Sequence, residues 1–275
     1  FFSPSDLDLL KLSEDAPERK AIRLINPINE DLSLMRTTLV PSMLNAISRN
    51  QKKGNLEGRL FEIAKIFIPK ELPLTDYPDE RDTLCVGVFG QNEDFFTIKG
   101  IAETVADTFL LDFEYEAAEK SFLHPYQTAV IKCEGEEIGY LGKLAYDIAD
   151  KLDLRNDAYV MQIDLAKLAK WNDKKAVFKP LPKFAEESRD LALVMTKDIT
   201  CKQVEDVIGQ SCNYIKNIRL FDVYEGAGIA DDKKSMAFTV EFCPKDEAFE
   251  SDSVDHFVNK ILKNLKKELD IDLRS

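Results

Sequence analysis

A proline pair interrupts the chain at Lys179-Pro180-Leu181-Pro182. Each proline locks φ, lacks an amide N–H and pushes the preceding residue out of the α region, so neither a helix nor a central strand runs through the segment. Just upstream, Trp171-Asn172-Asp173-Lys174-Lys175 closes a helical stretch. The break predicts an extended linker and two folding units, 1–177 and 178–275. The length of 275 residues suits that division, since a domain commonly holds about 150. Hydrophobic residues make up 44% of the chain, enough for two cores.

The second unit has a clear rhythm. Arg189 to Met195 reads as a strand, with Leu191 and Leu193 alternating against Asp190 and Ala192. Thr200 opens a helix, where Gln203 completes a capping box ahead of the stripe Val204, Val207 and Ile208. Ile218 to Tyr224 and Ser235 to Phe242 read as two further strands, with Gly226 and Gly228 between them. Ser251 begins a last helix whose stripe is Val254, Phe257, Val258, Ile261, Leu262, Leu265 and Leu269. Asp252 and Asp255 near its start and Lys263, Lys266 and Lys267 near its end suit the helix macrodipole. Ile271-Asp272-Leu273 supplies a closing strand. The order βαββαβ is ferredoxin-like, a sheet with helices on one face and the other face open. Alternation puts Met236, Phe238, Val240 and Phe242 on the core face and Ser235, Ala237, Thr239 and Glu241 on the other. In Leu220 to Tyr224 it sets Phe221 and Val223 against Leu220, Asp222 and Tyr224, so Asp222, Tyr224 and Ser235 are expected on the open face.

The first unit is mixed. Thr38 to Asn50 reads as a helix with Pro41 in its first turn. Strands are expected at Arg59–Ile68, Thr83–Phe89 and Tyr159–Ile163, and a hairpin at Thr128–Cys133 and Glu137–Leu141 around Glu134-Gly135-Glu136. Ile98–Leu110 and Lys143–Leu152 are expected as helices. Hairpins outnumber βαβ crossovers, so the sheet should be largely antiparallel and the fold class α+β.

Most enzyme signatures are missing. Gly142-Lys143 is followed by Leu144, and the first glycine of a phosphate loop is replaced by Glu137. No GxSxG occurs. The two histidines, His124 and His256, are too far apart for a HExxH zinc pair; His256 sits beside an apolar stripe and His124 precedes Pro125, as in a turn. Fifty acidic residues guarantee chance carboxylate pairs, and none stands out as an acid/base couple. No catalytic residue and no metal site is therefore assigned. Cys85, Cys133, Cys201, Cys212 and Cys243 are odd in number and form no CxxC, which reads as reduced thiols in a cytoplasmic protein. No run of eighteen apolar residues exists to span a membrane. Opening on Phe1-Phe2-Ser3-Pro4 rather than Met, the chain reads as a fragment or a processed product. The formal charge of −13 argues against broad phosphate binding, and the acidity is shared: 22 basic against 31 acidic residues up to Val177, 15 against 19 after it.

Longer blocks carry more information. The run from Asn26 through Pro27-Ile28-Asn29-Glu30-Asp31 and Arg36 to Leu44 resembles a segment of the bacterial phenylalanine–tRNA ligase beta subunit family. So does Arg59-Leu60-Phe61-Glu62-Ile63-Ala64-Lys65-Ile66-Phe67. Arg189-Asp190-Leu191-Ala192-Leu193-Val194, Leu220-Phe221-Asp222-Val223-Tyr224-Glu225-Gly226 and Lys233-Lys234-Ser235-Met236-Ala237-Phe238 follow in the family's order, so the resemblance spans nearly the whole chain. There are departures. Leu-His-Pro-Gly-Arg-Ser-Ala stands here as Leu123-His124-Pro125-Tyr126-Gln127-Thr128-Ala129, a later Leu-His-Pro as Leu144-Ala145-Tyr146, and Glu186-Glu187-Ser188 replaces a basic pair before Arg189.

The resemblance implies a class II synthetase-like module without its own active site, then a ferredoxin-like anticodon-binding domain. It implies a heterotetramer (α2β2) that joins phenylalanine to its tRNA using ATP and Mg, with the catalytic site on the alpha subunit and no cofactor in this chain. The family's editing and metal-linked modules are expected upstream. Arg59 lacks the glycine-rich Glu-Arg partner of a triphosphate clamp and reads as structural. Asp222, Tyr224 and Ser235 resemble the family's anticodon contacts: a base stacks on Tyr224, Asp222 accepts from guanine N–H groups and Ser235 adds a hydroxyl bond. Arg189, Lys233 and Lys234 are expected at phosphates. With so few phosphate grips, RNA affinity of the chain alone should be weak. The rival reading is a ferredoxin-like protein–protein interaction module without RNA, and the acidic balance favours it.

Overall fold

An antiparallel sheet built from hairpins must shield each apolar face with a helix or leave it to solvent, and the two parts of this chain solve that differently. The computed structural model describes residues 1–171, 173–178, 180–245, 247–250 and 252–274. The chain divides into two compact units, Phe1–Ala176 and Val177–Ser275.

The first unit runs α1 (Pro4–Leu9), α2 (Val40–Lys52), β1 (Gly58–Ile68), β2 (Asp79–Phe89), α3 (Phe95–Phe109), β3 (Glu114–Ala117), β4 (Leu123–Cys133), β5 (Glu136–Leu144), α4 (Tyr146–Lys151), β6 (Ala158–Asp164) and α5 (Leu165–Leu168). Its sheet has the order β1-β2-β6-β5-β4-β3, antiparallel throughout. Helices lie on both faces, leaving the β1 edge open on the α3 side. On one, Met43, Leu44 and Ile47 of α2 and Ile148 of α4 pack on Ile66, Cys85, Phe89 and Val160. On the other, Ile98 and Ala102 of α3 and Leu168 of α5 pack on Val86, Ile131, Leu141 and Met161. Helix α2 lies so close that a Cβ on Gly87 would stand 2.7 Å from Met43 Sδ, so only glycine fits there. Leu39 at the N-cap has no side-chain bond to give; Thr38 Oγ1 accepts from Val40 N at 3.3 Å, and Gln162 of β6 reaches across, its Oε1 accepting from Leu39 N at 2.9 Å and Thr38 Oγ1 at 2.8 Å.

Three differences from the sequence reading have local causes. The helix expected from Lys143 begins only at Tyr146, because Lys143 and Leu144 still belong to β5, where Lys143 stands opposite Tyr159. Its ammonium is buried, yet it donates to Asp157 at 2.7 Å and to Tyr146 at 3.3 Å; burial pulls its pKa down, and those bonds hold it above the ordinary lysine value. Helix α3 starts at Phe95 because Asp94 and Thr97 form a capping box. The short elements α1 and β3 show too little apolar periodicity to be anticipated.

The second unit runs β7 (Glu187–Thr196), α6 (Cys201–Ser211), β8 (Ile215–Tyr224), β9 (Lys233–Phe242), α7 (Ser253–Leu269) and β10 (Asp272–Leu273). The sheet order β10-β7-β9-β8, antiparallel throughout, is that of a ferredoxin-like βαββαβ fold. Thr200 caps α6 in a box with Gln203. Ser251, expected to start α7, lies outside the described residues, as does Lys179 of the linker. Helices α6 and α7 cover one sheet face, where Val204, Ile208, Val254, Ile261 and Leu265 meet Leu191, Leu193, Met236, Phe238, Val240 and Phe242. No helix covers the other face among the described residues.

Phe238 is fully buried and lies between Leu191 and Leu220. Phe238→Ala is expected to destabilise the second unit by about 3–5 kcal/mol, read as an earlier urea unfolding midpoint.

Candidate nucleic-acid interface

Partners in an antiparallel register share a face. Along β9, Met236, Phe238 and Val240 stand beside Leu193, Leu191 and Arg189 of β7 and Val223, Leu220 and Ile218 of β8, all on the helix side. Ser235, Ala237, Thr239 and Glu241 stand beside Val194, Ala192, Asp190 and Ser188, and beside Tyr224, Asp222, Arg219 and Asn217, on the open side. Asp222 and Tyr224 are thus brought together on the open face, next to the small side chains of Ala237 and Ala192. Small residues leave a shallow floor over which a planar ring can lie flat.

The simple alternation expected for β8 is broken. A register shift between Leu220 and Asp222 leaves Phe221 as a bulged residue. Leu220 therefore packs into the core instead of sharing the face of Asp222 and Tyr224, and Phe221 is 49% exposed instead of buried. The bulge resets the phase so that one strand can bury Leu220 and still present Asp222 outward.

The Asp222 carboxylate is exposed and, among the described residues, accepts no hydrogen bond and joins no ion pair. A carboxylate in that state can accept two N–H donors at once. Tyr224 is half-buried, and its hydroxyl donates to the Ala227 carbonyl at 3.2 Å. Over its ring lies the Arg274 guanidinium, 4.9 Å from the centroid, in a cation–π contact. Arg274 was missed in the sequence, where a single arginine in the last residues carries no signal. It reaches this place because β10 pairs with β7 and Arg274 N donates to the Ala192 carbonyl at 2.8 Å.

The other expected contacts divide. Ser235 is on the open side but only 3% exposed, with Val194 and Tyr224 as its register neighbours and Arg274 over the tyrosine ring. Lys233 is on the same side, opposite Thr196. Arg189 is not there: it pairs across from Val240, and its guanidinium binds Glu187 at 3.3 Å and Asp255 of α7 at 3.5 Å. Lys234 likewise pairs with Met195 on the helix side, where its ammonium donates to the Lys197 carbonyl at 2.9 Å. Odd positions of β7 and even positions of β9 both face the helices, a parity that runs of basic residues hide.

In the first unit, Arg59 holds Glu93 through two bonds of 3.0 Å, tying β1 to the segment that enters α3. That hydrogen bond raises the pKa of the guanidinium further. His124, expected in a turn, lies instead in the irregular start of β4, where the register shifts between Leu123 and Thr128; its Nδ1 accepts from Tyr126 N at 3.3 Å, and its ring meets Tyr146 edge-on. His256 is exposed on α7. All five cysteines are free thiols. Among the described residues, no three His, Cys, Asp or Glu side chains converge as metal ligands, and no helix is long and apolar enough to cross a membrane. On edge strand β1, Phe61 and Ile63 are 74% and 58% exposed, because α3 lies over β2, β5 and β6.

Comparison with known proteins accounts for both units. Residues 1–165 match the family described as the phenylalanyl tRNA synthetase beta chain CLM domain, and residues 182–274 the ferredoxin-fold anticodon binding domain. The phenylalanine–tRNA ligase beta subunit of Clostridium acetobutylicum is 32% identical over 278 residues, covering 100% of this chain and 35% of that protein. That of Clostridium tetani is 32% identical over 278 residues, with the same coverage, and that of Listeria innocua 31% identical over 97% of this chain and 34% of its own length. The chain spans about a third of the length of the curated relatives it matches, 35% of the first.

An exposed cation–π contact is worth about 0.5–1 kcal/mol. Arg274→Ala is therefore expected to leave stability within about 1 kcal/mol of the parent while shifting the Tyr224 ring-proton resonances, checked by NMR.

Proposed function

Because the chain belongs to the phenylalanyl-tRNA synthetase beta chain family, we propose that it serves a phenylalanine–tRNA ligase through both of its units. Residues 178–275 contact the anticodon of the tRNA for phenylalanine, and residues 1–177 form a non-catalytic class II-like module seated against the alpha subunit of an α2β2 enzyme. That enzyme attaches phenylalanine to its tRNA, using ATP and Mg bound by alpha. The observation that carries the RNA reading is the pairing of Asp222 and Tyr224 on an uncovered sheet face.

An unpaired base stacks on Tyr224, a contact worth roughly 1–3 kcal/mol, and displaces the Arg274 guanidinium from the ring toward the RNA backbone. The free Asp222 carboxylate accepts from the Watson–Crick N–H groups of guanine, the first anticodon base of this tRNA. Lys233 and Arg274 lie on the same side and supply the few phosphate contacts. Ser235 supports the floor, while Arg189 and Lys234 hold the helix side in place.

The residues of the first unit do not fit a triphosphate. Helices cover the central strands of its sheet on both faces, and Arg59 is engaged by Glu93. This supports a role in assembly, and the exposed Phe61 and Ile63 give that role an apolar surface to bury. The five free thiols suit the cytoplasm.

Binding to an anticodon stem-loop tests the reading. The chain is expected to prefer the guanine-containing loop over one with guanine replaced, and Asp222→Ala to abolish that preference. Tyr224→Ala should weaken binding to both loops by roughly 1–3 kcal/mol. Equal binding to both loops by the unsubstituted chain, or binding to neither, would favour a protein–protein module instead. In assembly, Phe61→Asp combined with Ile63→Asp is expected to abolish co-purification with the alpha subunit; undiminished recovery of alpha would remove these two residues from the interface.

A further inference from the structure

The loop after β8 contains two glycines that serve different ends. Gly228 has φ +90° and meets nothing within 4 Å, so it serves the turn itself. Gly226 does not have a positive φ, yet a Cβ placed on it would stand 2.8 Å from Tyr224 Oη and 3.0 Å from Cζ. We propose that Gly226 is a positioning residue for the base platform: its missing side chain lets the Tyr224 phenol fold back over the loop and be held there. This rests on the reading of Tyr224 as the stacking surface.

The geometry makes the effect local. The atoms a methyl group would meet are the tip of one side chain and not backbone, so the ring would give way and the loop would stay. The φ of residue 226 is not positive, so alanine there does not meet the strain of the left-handed region. The ring is fixed at its root by the register opposite Ser235, at its tip by the hydroxyl bond to Ala227, and over its face by Arg274. A methyl at 226 pushes on the tip and so disturbs the hydroxyl bond and the seat under Arg274 together. Stacking depends on the ring's orientation as well as its presence, so a tilted phenol loses much of the contact area with a base.

The test uses the whole chain and the guanine-containing anticodon stem-loop. Gly226→Ala is expected to weaken binding about tenfold, approaching the loss from Tyr224→Ala, with an unchanged thermal midpoint. In the Tyr224→Ala background, Gly226→Ala should cost nothing further; with Tyr224→Phe, which removes the closest atom, it should cost less than with tyrosine. Without RNA, Gly226→Ala should shift the Tyr224 ring resonances and weaken the ring's NOEs to Arg274. Unshifted resonances, or an equal loss from Gly226→Ala in the presence and absence of the tyrosine ring, would overturn the positioning role. If Tyr224→Ala leaves RNA binding intact, the platform reading itself fails, and the inference with it. Intact binding by Gly226→Ala alongside weakened binding by Tyr224→Ala rejects only the role of Gly226.

Discussion

The second unit depends on the two-residue alternation of β9. Met236, Phe238, Val240 and Phe242 each stand between residues of β7 and β8, and all four are buried. A slip of one residue would turn the two phenylalanines to solvent and bring Thr239 and Glu241 under the helices, at a cost of several kcal/mol of lost burial. The register is therefore pinned by the core, and the open face is set as its complement. Asp222 stands beside Ala237, and Tyr224 beside Ser235, because Leu220 and Val223 stand beside Phe238 and Met236. The bulge at Phe221 keeps both conditions satisfied along one edge strand.

The two units differ in what they leave uncovered. In the first, α2 and α4 lie on one sheet face and α3 and α5 on the other, so the β1 edge, with Phe61 and Ile63, is left open on the α3 side. In the second, both long helices share one face and the other is free. The net charge of −13 belongs to the whole surface, whereas contact with an unpaired base depends on a few side chains within one patch. There, the Asp222 carboxylate, with no partner among the described residues, one ring and cations from Lys233 and Arg274 are gathered on the same side of the sheet.

Much of this was legible from residue order alone. The α7 stripe from Val254 to Leu269, the Thr200–Gln203 cap and the strands around Leu191 and Phe238 are local signals, and local signals survive folding when they agree with the core. The family resemblance lay in blocks such as Leu220 to Gly226, where Asp222 and Tyr224 are two apart and so share a face. Less legible were the positions whose surroundings come from elsewhere. Ser235 has the parity of an open-face residue, but is buried beside Tyr224 and Val194, both distant in sequence. Arg189 and Lys234 are basic and near the matched blocks, yet strand parity points them at Asp255 and Lys197 on the other side.

The sequence by itself determined the α+β class, the ferredoxin-like order and the two-residue spacing of Asp222 and Tyr224, because periodicity and spacing act within a few residues of chain. Only the tertiary structure decided that Phe221 bulges, that Ser235 is covered, that Arg274 lies over Tyr224 and that Gln162 caps α2. Each of those depends on groups brought together by strand pairing or packing across long stretches of chain, and no local pattern of residues encodes which distant neighbour will arrive.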